Sequence, residues 1–188
     1  MAEVLLFHHA QGLTRGVLEF AEDLRAAGHT VHAPDLYDGK IFSELPAGIA
    51  HAESIGFETI IERGKAAAAA LPSSLVYAGF SLGVLPAQAL AQTRPGARGA
   101  LFFHSSVPPF QFGPTWPSGL RVQTHTMDAD PFGDLDVAPE FAAAVPGAEL
   151  FLYPGDQHLF TDRSLAAYDA AASRLVLERV LAFLAAVE

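Results

Sequence analysis

The sequence predicts an α/β domain, a mostly parallel sheet covered by helices on both faces. Three observations point there. Short apolar runs alternate along the chain with segments of helical length, and no hairpin signal joins neighbouring runs. Hydrophobic residues make up 51% of the chain and charged residues 17%, the balance of a compact domain with an extensive interior. No internal repeat, low-complexity tail or linker divides the 188 residues, so 1–188 is read as one domain.

Each element has its own justification. Residues 4–8 are an apolar run of strand length, as expected of a strand buried on both faces. Thr14 is placed to cap a helix over 15–27, with Val17, Phe20 and Leu24 on one face and Gly28 as its stop. A short strand follows at 30–33, then a long irregular segment, 34–52, that contains Tyr37, Ile41 and Phe42. Residues 53–71 read as a helix, 74–78 as a strand and 84–93 as a helix ended by Pro95-Gly96. Residues 97–103 are apolar and extended, and 121–126 form another strand; between them, 105–119 is a Pro- and aromatic-rich loop with Phe110, Phe112 and Trp116. A short helix at 139–145, a last strand at 148–153 and a long helix at 164–187 complete the chain, the last with Tyr168, Leu175, Phe183 and Leu184 on its buried stripe.

Composition excludes several functions. A net charge of −10 repels phosphate backbones, so nucleic acid and anionic membrane surfaces are not expected partners. With no cysteine there are no disulfides, thiolate–metal sites or cysteine nucleophiles, which fits a reducing, cytoplasmic setting. The segment 1–7 lacks a basic n-region and reads as a first strand, not a signal peptide, and no apolar run reaches membrane-spanning length.

The chemistry centres on Gly79-Phe80-Ser81-Leu82-Gly83, between a β run and a helix. Gly-x-Ser-x-Gly in that context is a nucleophile elbow: the serine occupies a strained strand-to-helix turn and presents its hydroxyl over the carboxyl end of a sheet. From the 16 Gly and 10 Ser of this chain, chance matches number roughly 0.07. The competing reading is a Gly-rich turn whose serine merely caps the helix. A serine hydroxyl needs a positioned base. His158 suits that task, in a loop after the last strand; the competing reading is a surface histidine without a task. Asp130 follows another strand and would fix the imidazole tautomer. Asp128 is its nearest rival; Asp130 is preferred because Pro131 restricts its backbone. The order Ser81, Asp130, His158 is that of α/β-hydrolases. Leu82 N–H is one oxyanion donor, and the loop 8–12 supplies the other, with Ala10 first and Gln11 second. His8, His9, His104 and His125 lie near strand ends, but none has metal-ligand spacing, so no metal is expected; His9 reads as a group supporting the oxyanion loop.

Taken together these segments resemble the dienelactone hydrolase family of α/β-hydrolases along most of the chain. His8-His9-Ala10-Gln11-Gly12-Leu13 resembles the family's oxyanion loop, and Ala33-Pro34-Asp35-Leu36-Tyr37 its PDLY-type segment. Gly79 to Gly83 stands at its nucleophile motif and Asp130-Pro131-Phe132 at its acid loop. The run from Tyr153 to Phe160 resembles its histidine loop, and Tyr168 to Phe183 its closing helix. Three departures stand out. Ser81 replaces the cysteine of the type enzymes, His9 replaces a glutamate that interacts with the thiol, and Asp162, beside Arg163, stands where they carry an arginine for the substrate carboxylate.

The resulting expectation is a single-domain α/β-hydrolase fold and a serine hydrolase acting on small carboxylic esters or lactones, without cofactor. Loops 34–52 and 105–119 are expected to form an apolar pocket, with Tyr37, Phe42, Phe110 and Trp116 as lining candidates; plain loop packing is the alternative for each. A thioesterase or amidase with the same triad, and a non-catalytic binding protein of the same fold, remain open, as do a homodimer and the identity of the substrate.

Overall fold

The computed structural model describes residues 1–187. Among them six strands form one parallel sheet in the order β2-β1-β3-β4-β5-β6. The strands are β1 (Glu3–Phe7), β2 (Thr30–His32), β3 (Val76–Phe80), β4 (Gly99–Phe103), β5 (Val122–Met127) and β6 (Ala148–Tyr153). Alternating side chains feed two cores. Val4, Leu6, Val76, Ala78 and Phe80 meet α1 (Arg15–Ala26) and α6 (Ala170–Ala186) on one face. Leu5, Phe7, Tyr77, Ala100 and Phe102 meet the opposite layer, built from α2 (Leu45–Ile55), α3 (Phe57–Ala68), α4 (Val84–Thr93) and α5 (Val137–Ala144). This is the fold class expected, and burial on both faces explains why the strands read as continuous apolar runs. No helix among the described residues is long and apolar enough to cross a membrane.

The chain leaves β1 for β2 on one side and returns to β3 on the other, so the sheet order reverses between β1 and β3. In open parallel sheets the crevice outside the carboxyl ends at such a reversal is where ligands bind. Phe7 and Gly79 are paired across it, so the loop from His8 and the turn at Ser81 leave the sheet side by side.

Helix boundaries depart from expectation in three places. The helix expected over 53–71 is two helices, α2 and α3, divided at Gly56, whose φ of 88° suits a residue without Cβ. The segment 34–52 is correspondingly less irregular, because Pro46 lies in the first turn of α2, where its missing N–H costs nothing. The helix expected from 164 begins only at Ala170, because the Asp169 carboxylate accepts from the Ala171 and Ala172 N–H groups and caps it there. Tyr168 therefore precedes the helix, and Leu175 is 42% exposed; the buried stripe is Ala172, Val176, Val180, Phe183 and Leu184.

Three histidines are fully buried by the strand ends. Burial lowers His8 to about 4 and His125 to about 3, and holds His104 well below the ordinary value. Each is neutral in the fold at neutral pH, whereas in the unfolded chain each takes up a proton near pH 6.5. Their contribution to stability is therefore complete above that pH and is lost progressively as the pH falls below it. Urea unfolding midpoints are expected to drop steeply between pH 6.5 and 4.5, and His125→Gln to flatten the slope. A midpoint constant over that range would contradict it.

Candidate active site

The elbow is built by close backbone approach. Ser81 follows the last residue of β3 and has φ of 49°, a left-handed conformation that costs a non-glycine residue about 1–3 kcal/mol. The flanking glycines are dictated by space. A Cβ on Gly79 would collide with the Gly83 carbonyl, and one on Gly83 would lie 2.5 Å from the Phe7 oxygen and 2.8 Å from the His8 oxygen. The helical turn Ser81–Gly83 runs directly into α4, so the positive end of that helix lies at the serine.

His158 arrives on the loop after β6. Its Nε2 is 3.0 Å from the Ser81 hydroxyl oxygen, and its Nδ1 is 2.8 Å from Asp130 Oδ2. A carboxylate accepts, so Nδ1 carries the proton and Nε2 is left as acceptor for the serine O–H. The Asp130 carboxylate is sealed from solvent, and its other oxygen accepts from the Phe132 N–H at 2.9 Å. Its rival, Asp128, is exposed and does something else: it accepts from the Gly155 N–H at 3.0 Å, tying the acid loop to the histidine loop. The Ala129 N–H donates to the Gly155 carbonyl at 2.9 Å in the same tie.

The loop after β1 is immobilised from several sides. The His9 ring accepts from the Gln11 N–H at Nδ1 (3.2 Å), so its Nε2 carries a proton, which it donates to Asp162 Oδ2 at 2.8 Å. Asp162 also accepts from the Thr14 hydroxyl and from the Ser164 N–H and hydroxyl. These bonds hold its carboxyl below the ordinary value although burial pushes the other way more strongly than any single one of them. His9 and Asp162 are 1% and 3% exposed. The Gln11 N–H, second candidate as oxyanion donor, is thus occupied by His9. Sequence reading placed His9 beside the loop but missed its pairing with Asp162, 153 residues away; the one available signal was that both depart from the family pattern.

The structure corrects the lining expected for the substrate pocket. The cavity at Ser81, about 420 Å³, is bounded by Leu82, Leu85, Val107 and Val137, with Phe57 and Asp134 among its other walls. Tyr37 is buried behind the oxyanion loop, edge-on to His8, Phe42 and His51. Phe42 belongs to the same packing, because its N–H donates to the Gln11 carbonyl and its own carbonyl accepts from the Gln11 amide. Trp116 packs edge-on against Phe102 and Phe141 and donates to the Leu120 carbonyl. Phe110 is exposed and does not border this cavity. A larger cavity, about 570 Å³, lies among residues 91–98, 117–121 and 186–187, away from all three of Ser81, Asp130 and His158. Only the smaller of these two cavities reaches Ser81, so it is the candidate site. Among the described residues no three His, Cys, Asp or Glu side chains converge on a metal position.

The model of the dienelactone hydrolase family matches residues 1–188. No curated protein sequence matches the chain significantly. A candidate dienelactone hydrolase from Klebsiella pneumoniae superposes with a TM-score of 0.76 at 18% identity, covering 98% of this chain and 87% of that one. A dienelactone hydrolase-like promiscuous phosphotriesterase from metagenomic libraries gives 0.73 at 18% identity, covering 100% and 87%. One structure from work on two metagenome-derived lipolytic enzymes gives 0.65 at 18% identity, covering 98% and 94%. At these identities the solved structures establish the α/β-hydrolase fold, while the family match spans the chain from end to end. The protein is a hydrolase that belongs to the dienelactone hydrolase family.

Proposed function

We propose that the protein is a serine hydrolase that cleaves small carboxylic esters or lactones through an acyl-enzyme on Ser81. The observation that carries this is the unbroken hydrogen-bonded chain from the Ser81 hydroxyl through His158 to Asp130, at 3.0 and 2.8 Å. Ser81 Oγ attacks the ester carbonyl while its proton passes to His158 Nε2. The tetrahedral intermediate collapses with cleavage of the bond to the leaving alcohol, which takes that proton from His158. Water then attacks the acyl-serine by the same route, and Ser81 regains its proton as the acid leaves. Asp130 holds the imidazole in the required tautomer and stabilises its protonated form.

The Leu82 N–H, in the first turn of a helix, has no carbonyl of that helix to accept it, and with the Ala10 N–H it forms the proposed oxyanion site. The His9–Asp162 pair positions that site by occupying the Gln11 N–H and anchoring the loop. The chain has no cysteine, and the cytoplasm is the compartment proposed for it.

Treatment with a fluorophosphonate, read by intact mass, should give one adduct on Ser81 and none in Ser81→Ala or His158→Ala. Folded wild-type protein without an adduct would overturn the reading. Asp130→Asn is expected to lower kcat by about 10³–10⁴-fold, and Asp128→Asn by less than tenfold. The reverse order would make Asp128 the triad acid. Asp162→Asn is expected to lower kcat about 10–100-fold with little change in KM, because it disturbs a group acting on the transition state.

A further inference from the structure

The cavity at Ser81 continues into a second, of about 360 Å³, because Phe57, Leu85 and Gln111 border both. The joint groove runs from the serine along α4 and the start of α3, past Leu82, Leu85, Ile61 and Phe112. Its apolar walls suit a hydrocarbon chain, which leaves water on entering them.

Among the described residues two charged ones border this groove, Asp134 in the cavity beside Ser81 and Glu58 farther along, and no lysine or arginine does. Asp134 is an exposed carboxylate held in one place by its neighbours. It adopts φ of 49°, and its Oδ2 accepts from the Ser105 hydroxyl at 2.6 Å and the Ser106 N–H at 3.2 Å. Those bonds fix a negative charge at the wall of the cavity that the serine shares. Glu58 lies in the first turn of α3, at the border of the second cavity. An acyl chain ending in a carboxylate would bring a third negative charge into this groove with no cation to receive it. An uncharged chain meets no such opposition, and a cationic one is attracted.

We infer that the groove selects esters whose acyl part is apolar and either uncharged or cationic, and discriminates against acyl chains that carry a carboxylate. This rests on the serine-hydrolase reading above. Its test compares kcat/KM for three matched substrates: nitrophenyl hexanoate, the nitrophenyl monoester of adipic acid, and the nitrophenyl ester of ω-trimethylammonio-hexanoic acid. At low salt the anionic ester is expected to be about tenfold slower than the neutral one, and the cationic ester at least as fast as the neutral one. Added salt should narrow the gap. Asp134→Asn should shrink the neutral-to-anionic ratio several-fold. Glu58→Gln, on an exposed helix turn, should shrink it in the same direction, and gives a second reading should the first variant fail to fold. Equal rates for the three esters on wild-type protein, or a ratio unmoved by both substitutions, would overturn the charge selection and leave the serine reading intact. No turnover of any ester, together with no fluorophosphonate adduct, would overturn both.

Discussion

The contact between the elbow and the end of β1 governs the rest of the site. Ser81 can hold its left-handed conformation only if the chain before and after it folds back tightly. That demands no side chain at Gly79, which touches the Gly83 carbonyl, or at Gly83, which touches the carbonyls of Phe7 and His8. The same contact sets the loop that begins at His8 beside Ser81. β1 and β3 are paired up to Phe7 and Gly79, so the two segments that must converge leave the sheet at one level. A larger residue at either glycine would separate the serine from that loop, so the strain at Ser81 and the placement of Ala10 have one cause.

A second layer of contacts holds the loops in register. Glycine again permits it: Gly48 of α2 packs against the Ala10 carbonyl, and Gly16 of α1 packs against the Asp162 carboxylate. The Asp162 carboxylate that pairs with His9 is buried and costly to desolvate, and buried charge is weak evidence for stability. Its value here is geometric. Asp162 follows His158 by four residues and its N–H donates to the Leu159 carbonyl, so one carboxylate links the histidine loop to the oxyanion loop. Asp128 performs the corresponding task between the acid loop and the histidine loop. The three segments bearing Ala10, Asp130 and His158 are therefore tied to one another as well as to the sheet, which preorganises the site.

Much of this was legible in the sequence, and the limits have physical causes. Continuous apolar runs and the Gly-x-Ser-x-Gly turn reveal strands and elbow because both are local. Ser81, Asp130 and His158 can be proposed from chain order because each follows a strand of a parallel sheet, whose carboxyl ends share one edge. What escaped depends on contacts distant in sequence. The pairing of His9 with Asp162 has no local signature. Tyr37, Phe42 and Trp116 are aromatic residues in irregular segments, and nothing local distinguishes a ring that lines a cavity from one that supports a loop. The first two hold the oxyanion loop from behind, and Trp116 fills the space over Phe102 and Phe141. The helix ends were misplaced where a single residue decided the matter, Gly56 as a break and Asp169 as a cap.

Burial also distinguishes two neighbouring histidines. His104 and His158 face each other edge-on, 5.9 Å apart, at the ends of neighbouring segments. His104 is wholly buried in a left-handed conformation, with Nε2 on the Thr161 hydroxyl at 2.7 Å and Nδ1 without a protein partner among the described residues. Desolvation keeps it neutral, and His158 beside it works in the same direction. In the proposed mechanism His158 becomes positive as it takes the serine proton, and a neutral His104 beside it adds no opposing charge. His158 alone has both an acid at Nδ1 and the serine at Nε2. Two like rings in contact are thus placed differently by their surroundings: His104 is sealed against Thr161, and His158 is held between Asp130 and Ser81.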